Sequence, residues 1–191
     1  MLALDLMLFH AINADATTPA VVVDLARWAS GPLHIAVSGA LLGGWVVGTA
    51  AQRREWAMAL ASMALAWLGI QLLRHGITSP RPAQLGLGVQ WIDHAARAGF
   101  PSMHAAGAFA LAVSLTRGST RWLAGWAWAV AVAMAWSRVC LGVHFPSDVL
   151  AGALTGALAA LTVHALVARL SWRRRFSAYW SRRALPWARH R

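Results

Sequence analysis

A series of apolar runs, separated by arginines or by glycine and proline, limits what this chain can fold into. The stretches at about 33–51, 56–73, 102–117, 122–138 and 147–168 approach the roughly 20 apolar residues that a helix needs to cross about 30 Å of hydrocarbon. Charged residues are only 12% of the 191 positions, against about a quarter in soluble domains. The expected fold is all-α, a polytopic integral membrane bundle of about five to six helices. Residues 1–191 read as one domain. Ahead of the first span, residues 1–30 are expected to form two short amphipathic helices at the interface, about 1–13 and 18–30. The N-terminus has Asp5 within it and no basic n-region, so it reads as a poor signal peptide.

The formal charge of +11 comes from 17 arginines and no lysine. Arg53 and Arg54 separate the first two spans, Arg117 and Arg121 the third and fourth, and the segment 170–191 is a basic tail. These groups share one side if each run crosses once, which makes that side cytoplasmic. Contact with anionic lipid heads accounts for the tail, and no nucleic-acid partner is implied. The single cysteine, Cys140, excludes an intrachain disulfide, and no Cys/His cluster suggests a metal. Tryptophans near the span ends, among them Trp56, Trp91, Trp122 and Trp172, suit an interfacial belt.

On the opposite side, polar residues break the apolar pattern. Arg74 and Arg81 follow the second span, Ser102 and His104 open the third, Arg138 ends the fourth, and His144 and Asp148 open the fifth. The third span has about 16 residues, near 24 Å, so its start and any site there are recessed from the surface. Ionisable groups at membrane depth cost about 3 kcal/mol each and are usually functional. Three arginine forks at one level point to a phosphate ligand. His144 stands four residues before Asp148, so both share a helix face if a helix starts near Phe145-Pro146. An aspartate on one ring nitrogen leaves the other free as a nucleophile. His104 has no nearby acid in sequence and suits proton donation to a leaving oxygen. Ser102 reads equally as a helix N-cap, and His94 and Arg97 as ordinary loop residues. His34 and His164 are given no role.

The ordered set Arg74-x6-Arg81-Pro82, Pro101-Ser-Met-His104 and Ser137-Arg138-x5-His144-x3-Asp148 resembles the three-part signature of the type 2 phosphatidic acid phosphatase (PAP2) superfamily. A broader likeness, to the small bacterial undecaprenyl-diphosphate phosphatases of that superfamily, rests on Leu8–Asn13, His94–His104 and Trp136–Gly152. The resemblance implies a metal-independent lipid phosphatase without a cofactor, in which His144 forms a phosphohistidine and Asp148 orients it. It implies His104 as acid and then base, with Arg74, Arg81, Arg138, the Ser102 hydroxyl and backbone N–H groups around Ser102 and Met103 holding the phosphoryl oxygens. The implied substrate is undecaprenyl diphosphate, cleaved to the monophosphate carrier for peptidoglycan synthesis. The implied setting is the bacterial cytoplasmic membrane, with the site facing the periplasm. Three departures bear on substrate choice: Arg74 in place of lysine, Met103 in place of glycine or aspartate, and Arg97 where close relatives carry an acid. Alternatives are a PAP2 phosphatase of phosphatidate, phosphatidylglycerophosphate or lipid A phosphate, a lipid phosphotransferase, and a lipid-binding protein without turnover. The oligomeric state is left open.

Overall fold

The computed structural model describes residues 3–93, 98–119 and 121–183, with side chains up to Trp172 except Arg121. The described residues form seven α-helices and no strand: α1 (Ala3–Ile12), α2 (Ala20–Ser30), α3 (Pro32–Val47), α4 (Ala50–Gly76), α5 (Met103–Thr116), α6 (Arg121–Cys140) and α7 (Pro146–Arg183), with a 3₁₀ turn at Pro82–Leu85. Four stretches are long and apolar enough to cross a membrane: Ala20–Val47, Ala50–Gly76, Trp122–Cys140 and Pro146–Trp172. The first joins α2 and α3 across Gly31, with Pro32 at the first position of α3, where its missing N–H costs nothing. His94 and Arg97, and the end of the tail from residue 184, lie outside the described residues.

The expected connection Gln52–Glu55 is not a loop. Thr49 and Gln52 form a capping box, in which Thr49 Oγ1 accepts from Gln52 N at 3.3 Å and Gln52 Oε1 accepts from Thr49 N at 2.9 Å. This reciprocal satisfaction of end groups starts α4 at Ala50, about six residues earlier than the apolar pattern suggests. Arg53 therefore sits in the first turn of α4, and its Nη2 donates to Val46 O at 3.0 Å, at the carbonyl end of α3.

Helix α5 is the centre of the bundle, packed between α4, α6 and α7. Its 14 residues span about 21 Å, shorter than the hydrocarbon layer. Six alanines and leucines on it, from Ala105 to Leu115, are at most 5% exposed. The α5–α7 crossing depends on Gly152 and Gly156. A Cβ at Gly152 would collide with Ser102 O, and one at Gly156 with Ala106 O. This small-xxx-small spacing lets two membrane helices approach backbone to backbone. At the head of the crossing, Ser102 N donates to Asp148 O at 2.9 Å, which joins the starts of α5 and α7.

The N-terminal region is tied down at the same end. Asp5 is only 8% exposed, and its carboxylate accepts from Ser147 N at 2.9 Å and Ser147 Oγ at 2.7 Å. Asn13 Nδ2 donates to Val89 O and Cys140 O at 3.0 Å, while its Oδ1 accepts from Val89 N. Trp91 adds a further tie: its Nε1 donates to Ala14 O, and Arg27 lies over its ring at 5.8 Å. At the opposite end Glu55 accepts from Ser119 N and Oγ at 2.6 and 2.5 Å, fixing the α5–α6 turn to α4.

Candidate active site

The corner carrying His144 is built by local sequence. Helix α6 ends at Cys140, and Gly142, at φ +72°, reverses the chain. A side chain there would collide with Val89 O as well as requiring left-handed backbone. Pro146 then opens α7, and Asp148, at its third position, accepts from Phe145 N at 3.0 Å through Oδ2, the acidic half of a capping box. The same oxygen lies 3.3 Å from His144 Nδ1. Both side chains are 1% exposed.

The tautomer of His144 follows from its neighbours. A carboxylate only accepts, so Nδ1 carries the proton towards Asp148. Arg81 Nη1 lies 3.3 Å from His144 Nε2, and a guanidinium only donates, so Nε2 presents its lone pair. This is the protonation of a nucleophilic imidazole held by an acid.

The arginines come from three elements. Arg81, 3% exposed, also donates through Nη1 to Val143 O at 2.7 Å and through Nη2 to Ala98 O at 3.4 Å. Burial and the nearby Arg74 charge lower its pKa below the ordinary arginine value, with Asp148 opposing. Arg74, in the last turn of α4, donates to Pro101 O at 2.9 Å. Arg138 is 2% exposed and donates through Nη1 to Ser30 Oγ at 2.5 Å. Its carbonyl accepts from His144 N at 3.2 Å, so its backbone abuts His144.

Two groups here have polar atoms without partners. Arg138 Nε and Nη2, and Ser102 Oγ, are buried with no hydrogen-bond partner among the described residues. Each such atom costs about 1–3 kcal/mol. Ser102 occupies the N-cap position of α5, yet its hydroxyl makes no cap bond, so the N-cap reading fails for the side chain. A guanidinium edge, and a hydroxyl at the N-terminal end of α5, are donors of the kind an oxyanion takes. Towards solvent, a cavity of about 460 Å³ opens between Asp5, Ser79, Phe100, Phe145 and Asp148.

Arg81, His144 and Asp148 are joined side chain to side chain, while Arg74, Ser102 and Arg138 are tied to the same corner through backbone groups of Pro101, Asp148 and His144. Met103 packs its side chain against the cluster of Ala66, Ile70, Ala106 and Ala110, leaving only its backbone to face an anion. His104 is the second residue of α5, and its ring meets that of His34 edge-on, with centroids 6.0 Å apart. His164 hydrogen-bonds Ser114 Oγ at 3.0 Å, a packing role. Sequence reading missed Ser30, Asp5 and His34 at this end of the bundle. Asp5 was the legible one, as a lone acid in an apolar helix.

Residues 55–172 match the PAP2 superfamily. The chain belongs to that superfamily. Among PAP2 relatives, it is 34% identical over 184 residues to the Escherichia coli K12 protein named "Putative undecaprenyl-diphosphatase YbjG", covering 90% of this chain and 91% of the relative. Its fold resembles the crystal structure of Aquifex aeolicus LpxE, with a TM-score of 0.69 and 26% identity over 85% of this chain and 95% of that one. A transmembrane PAP2-type phosphatidylglycerolphosphate phosphatase from Bacillus subtilis shares the fold at TM-score 0.65 and 20% identity, covering 87% and 86% of the two chains. The protein is thus a membrane protein of the PAP2 lipid phosphatase family, which supports a phosphoric monoester hydrolase.

Proposed function

We propose that this PAP2 protein hydrolyses the terminal phosphate of undecaprenyl diphosphate, at the outer face of the bacterial cytoplasmic membrane, through a phosphohistidine on His144. The observation that carries the catalytic reading is the buried corner itself, where His144 Nε2 presents a lone pair among three arginines and two of the polar groups lack partners. The likeness to the Escherichia coli protein over nine-tenths of both chains supports the prenyl diphosphate.

In this mechanism Nε2 attacks the terminal phosphorus and the bond to the bridging oxygen breaks. His104 donates a proton to that oxygen, and the lipid monophosphate leaves. Arg74, Arg81 and Arg138, with Ser102 Oγ and the first N–H groups of α5, hold the non-bridging oxygens. Catalysis is then mostly positioning and charge stabilisation. Asp148 holds the Nδ1–H and stabilises the ring as it becomes cationic. In the second half His104 takes a proton from water, which attacks phosphorus and breaks the P–Nε2 bond, releasing orthophosphate. Residues 1–191 act as one domain, with the helices of 1–30 bracing the site and the tail of 170–191 on the cytoplasmic side.

The test is phosphate release by purified protein from undecaprenyl diphosphate, phosphatidate, phosphatidylglycerophosphate and lipid A phosphate, side by side with His144→Ala. The prenyl diphosphate should be preferred and His144→Ala inactive. A preference for another lipid overturns the substrate, and an active His144→Ala overturns the mechanism.

A further inference from the structure

Helix α3 carries one ionisable side chain, His34. Between Pro32 and Val47 the other hydrogen-bonding side chains are Ser38 and the Trp45 indole. His34 stands about 20 Å along α3 from Val47, within the stretch Ala20–Val47 that is long and apolar enough to cross a membrane. His104 stands about 18 Å along α5 from Thr116, so the two rings reach a similar depth. They meet edge-on, with centroids 6.0 Å apart. An ionisable group within a membrane span is costly and usually functional, and His34 is exposed, so it does not serve to fill the core.

Ser38 lies one turn further along the same face of α3. Its Oγ donates to His34 O at 2.9 Å, so the hydroxyl proton is already used and the imidazole is the donor left on this wall. His34, Ser38 and His104 line a half-open groove whose other lining residues, among them Met63 and Val130, are apolar. Among the described residues, the three arginines, His144 and Asp148 lie outside that lining. Asp148 faces the solvent cavity instead.

The two sides of His104 therefore differ in chemistry. In the reaction proposed above, the arginines and His144 take the terminal phosphoryl group, and His104 takes the leaving oxygen. In a phosphate monoester that oxygen carries carbon. In a diphosphate ester it carries a second phosphate, whose charged oxygens would lie against apolar residues at a high desolvation cost unless a donor meets them. With one oxygen bonded to His104 at about 2.8 Å, another oxygen of the same phosphate comes within reach of the neighbouring ring.

We propose that His34 is a specificity residue for diphosphates: its ring N–H donates to a non-bridging oxygen of the second phosphate, the one that leaves with the lipid. The proposal rests on the lipid phosphatase reading above and on His104 as proton donor, and it adds how the site distinguishes a diphosphate from a monophosphate. An imidazole is suited to this task, because it supplies an N–H at membrane depth without the fixed charge of a fourth arginine.

The experiment compares wild type, His34→Leu and His34→Gln as full-length protein in detergent, with melting temperature as a folding control. Two substrate pairs differ only in the second phosphate: undecaprenyl diphosphate with undecaprenyl monophosphate, and dioleoylglycerol diphosphate with dioleoyl phosphatidate. In His34→Leu the diphosphate-to-monophosphate ratio of kcat/KM should fall by about tenfold to a hundredfold, the loss of one hydrogen bond to a charged group. His34→Gln, which keeps an N–H donor, should recover part of that ratio. An unchanged ratio in His34→Leu, or a wild type that prefers the monophosphate in both pairs, overturns the subsite. A His34→Gln no better than His34→Leu overturns the donor role. Turnover of the diacylglycerol pair alone removes the prenyl substrate, while the ratio within that pair still decides His34. No turnover of any of the four lipids removes both readings.

Discussion

Arg138 is the residue at which fold and function should pull in opposite directions, and Arg138→Met exposes the conflict. In the folded protein the guanidinium is 2% exposed, bonds Ser30 Oγ through Nη1, and leaves Nε and Nη2 without partners among the described residues. Removing it forfeits one charge-assisted bond, about 1.5–3 kcal/mol, and leaves Ser30 Oγ unpaired, about 1–3 kcal/mol. Against this, two unpartnered donors at about 1–3 kcal/mol each disappear, together with a desolvated charge that costs several kcal/mol more. Methionine keeps most of the side chain's length. The expectation is a stability unchanged within about 2 kcal/mol, or raised, with kcat/KM lower by about 10²–10³, the cost of one donor to a developing phosphoryl charge.

Cys140, 1% exposed and the single thiol in the chain, provides the assay. Its reaction with a thiol-specific fluorophore reports unfolding in detergent as temperature rises. Orthophosphate or vanadate at about 100 times its dissociation constant should stabilise the wild type by about 2.7 kcal/mol and the variant by much less. A variant destabilised by more than about 3 kcal/mol without phosphate, yet within tenfold of wild-type activity, would make Arg138 a structural strut and refute the reasoning.

Asp5→Ala removes both acceptors for Ser147; the melting curve should show a loss of about 0.5–2 kcal/mol, as for a helix cap, and kcat should fall more than KM rises. Gly156→Leu would drive a side chain into Ala106 O, and the overpacked α5–α7 crossing should fail to yield folded protein, whereas Gly39→Ala, where a Cβ meets nothing within 4 Å, should behave as wild type. Burial beside Arg74 lowers the Arg81 pKa, so its charge is lost at lower pH than an ordinary arginine's; a pH series should show KM rising on the alkaline side while kcat follows the two histidines in a bell-shaped profile. EDTA should leave phosphate release unchanged, and inhibition reversed by a divalent ion would point to a metal in the reaction.

The candidate corner was legible because charged residues stand out in apolar surroundings. Arg74, Arg81, Arg138 and the His144–Asp148 pair stand out against hydrocarbon-like sequence, and i,i+4 spacing is a property of the chain alone. What supports them was not legible. Ser30, the partner of Arg138 across 108 positions, is an ordinary serine until the fold places it. Asn13 ties the loop to α6 by bonds spanning 76 and 127 positions. The early start of α4 was hidden because periodicity reports burial and not caps, and Thr49–Gln52 overrode the charged residues that seemed to mark a loop. Gly152 and Gly156 carried the α5–α7 contact in plain spacing, but only the crossing shows which helix they receive.

Rapid-quench labelling tests the central claim most directly. Protein is mixed with undecaprenyl diphosphate carrying ³²P in its terminal phosphate, quenched in alkali, and digested to locate the label. A phosphoramidate on His144, stable to base and lost in acid, is the predicted result. It should be absent from His144→Ala, and in His104→Asn, which lacks both the proton donor for the leaving oxygen and the base for water, it should form and decay more slowly than in wild type. Release of labelled phosphate with no protein-bound label in wild type or His104→Asn would contradict the phosphohistidine, and label on another residue would move the nucleophile away from His144.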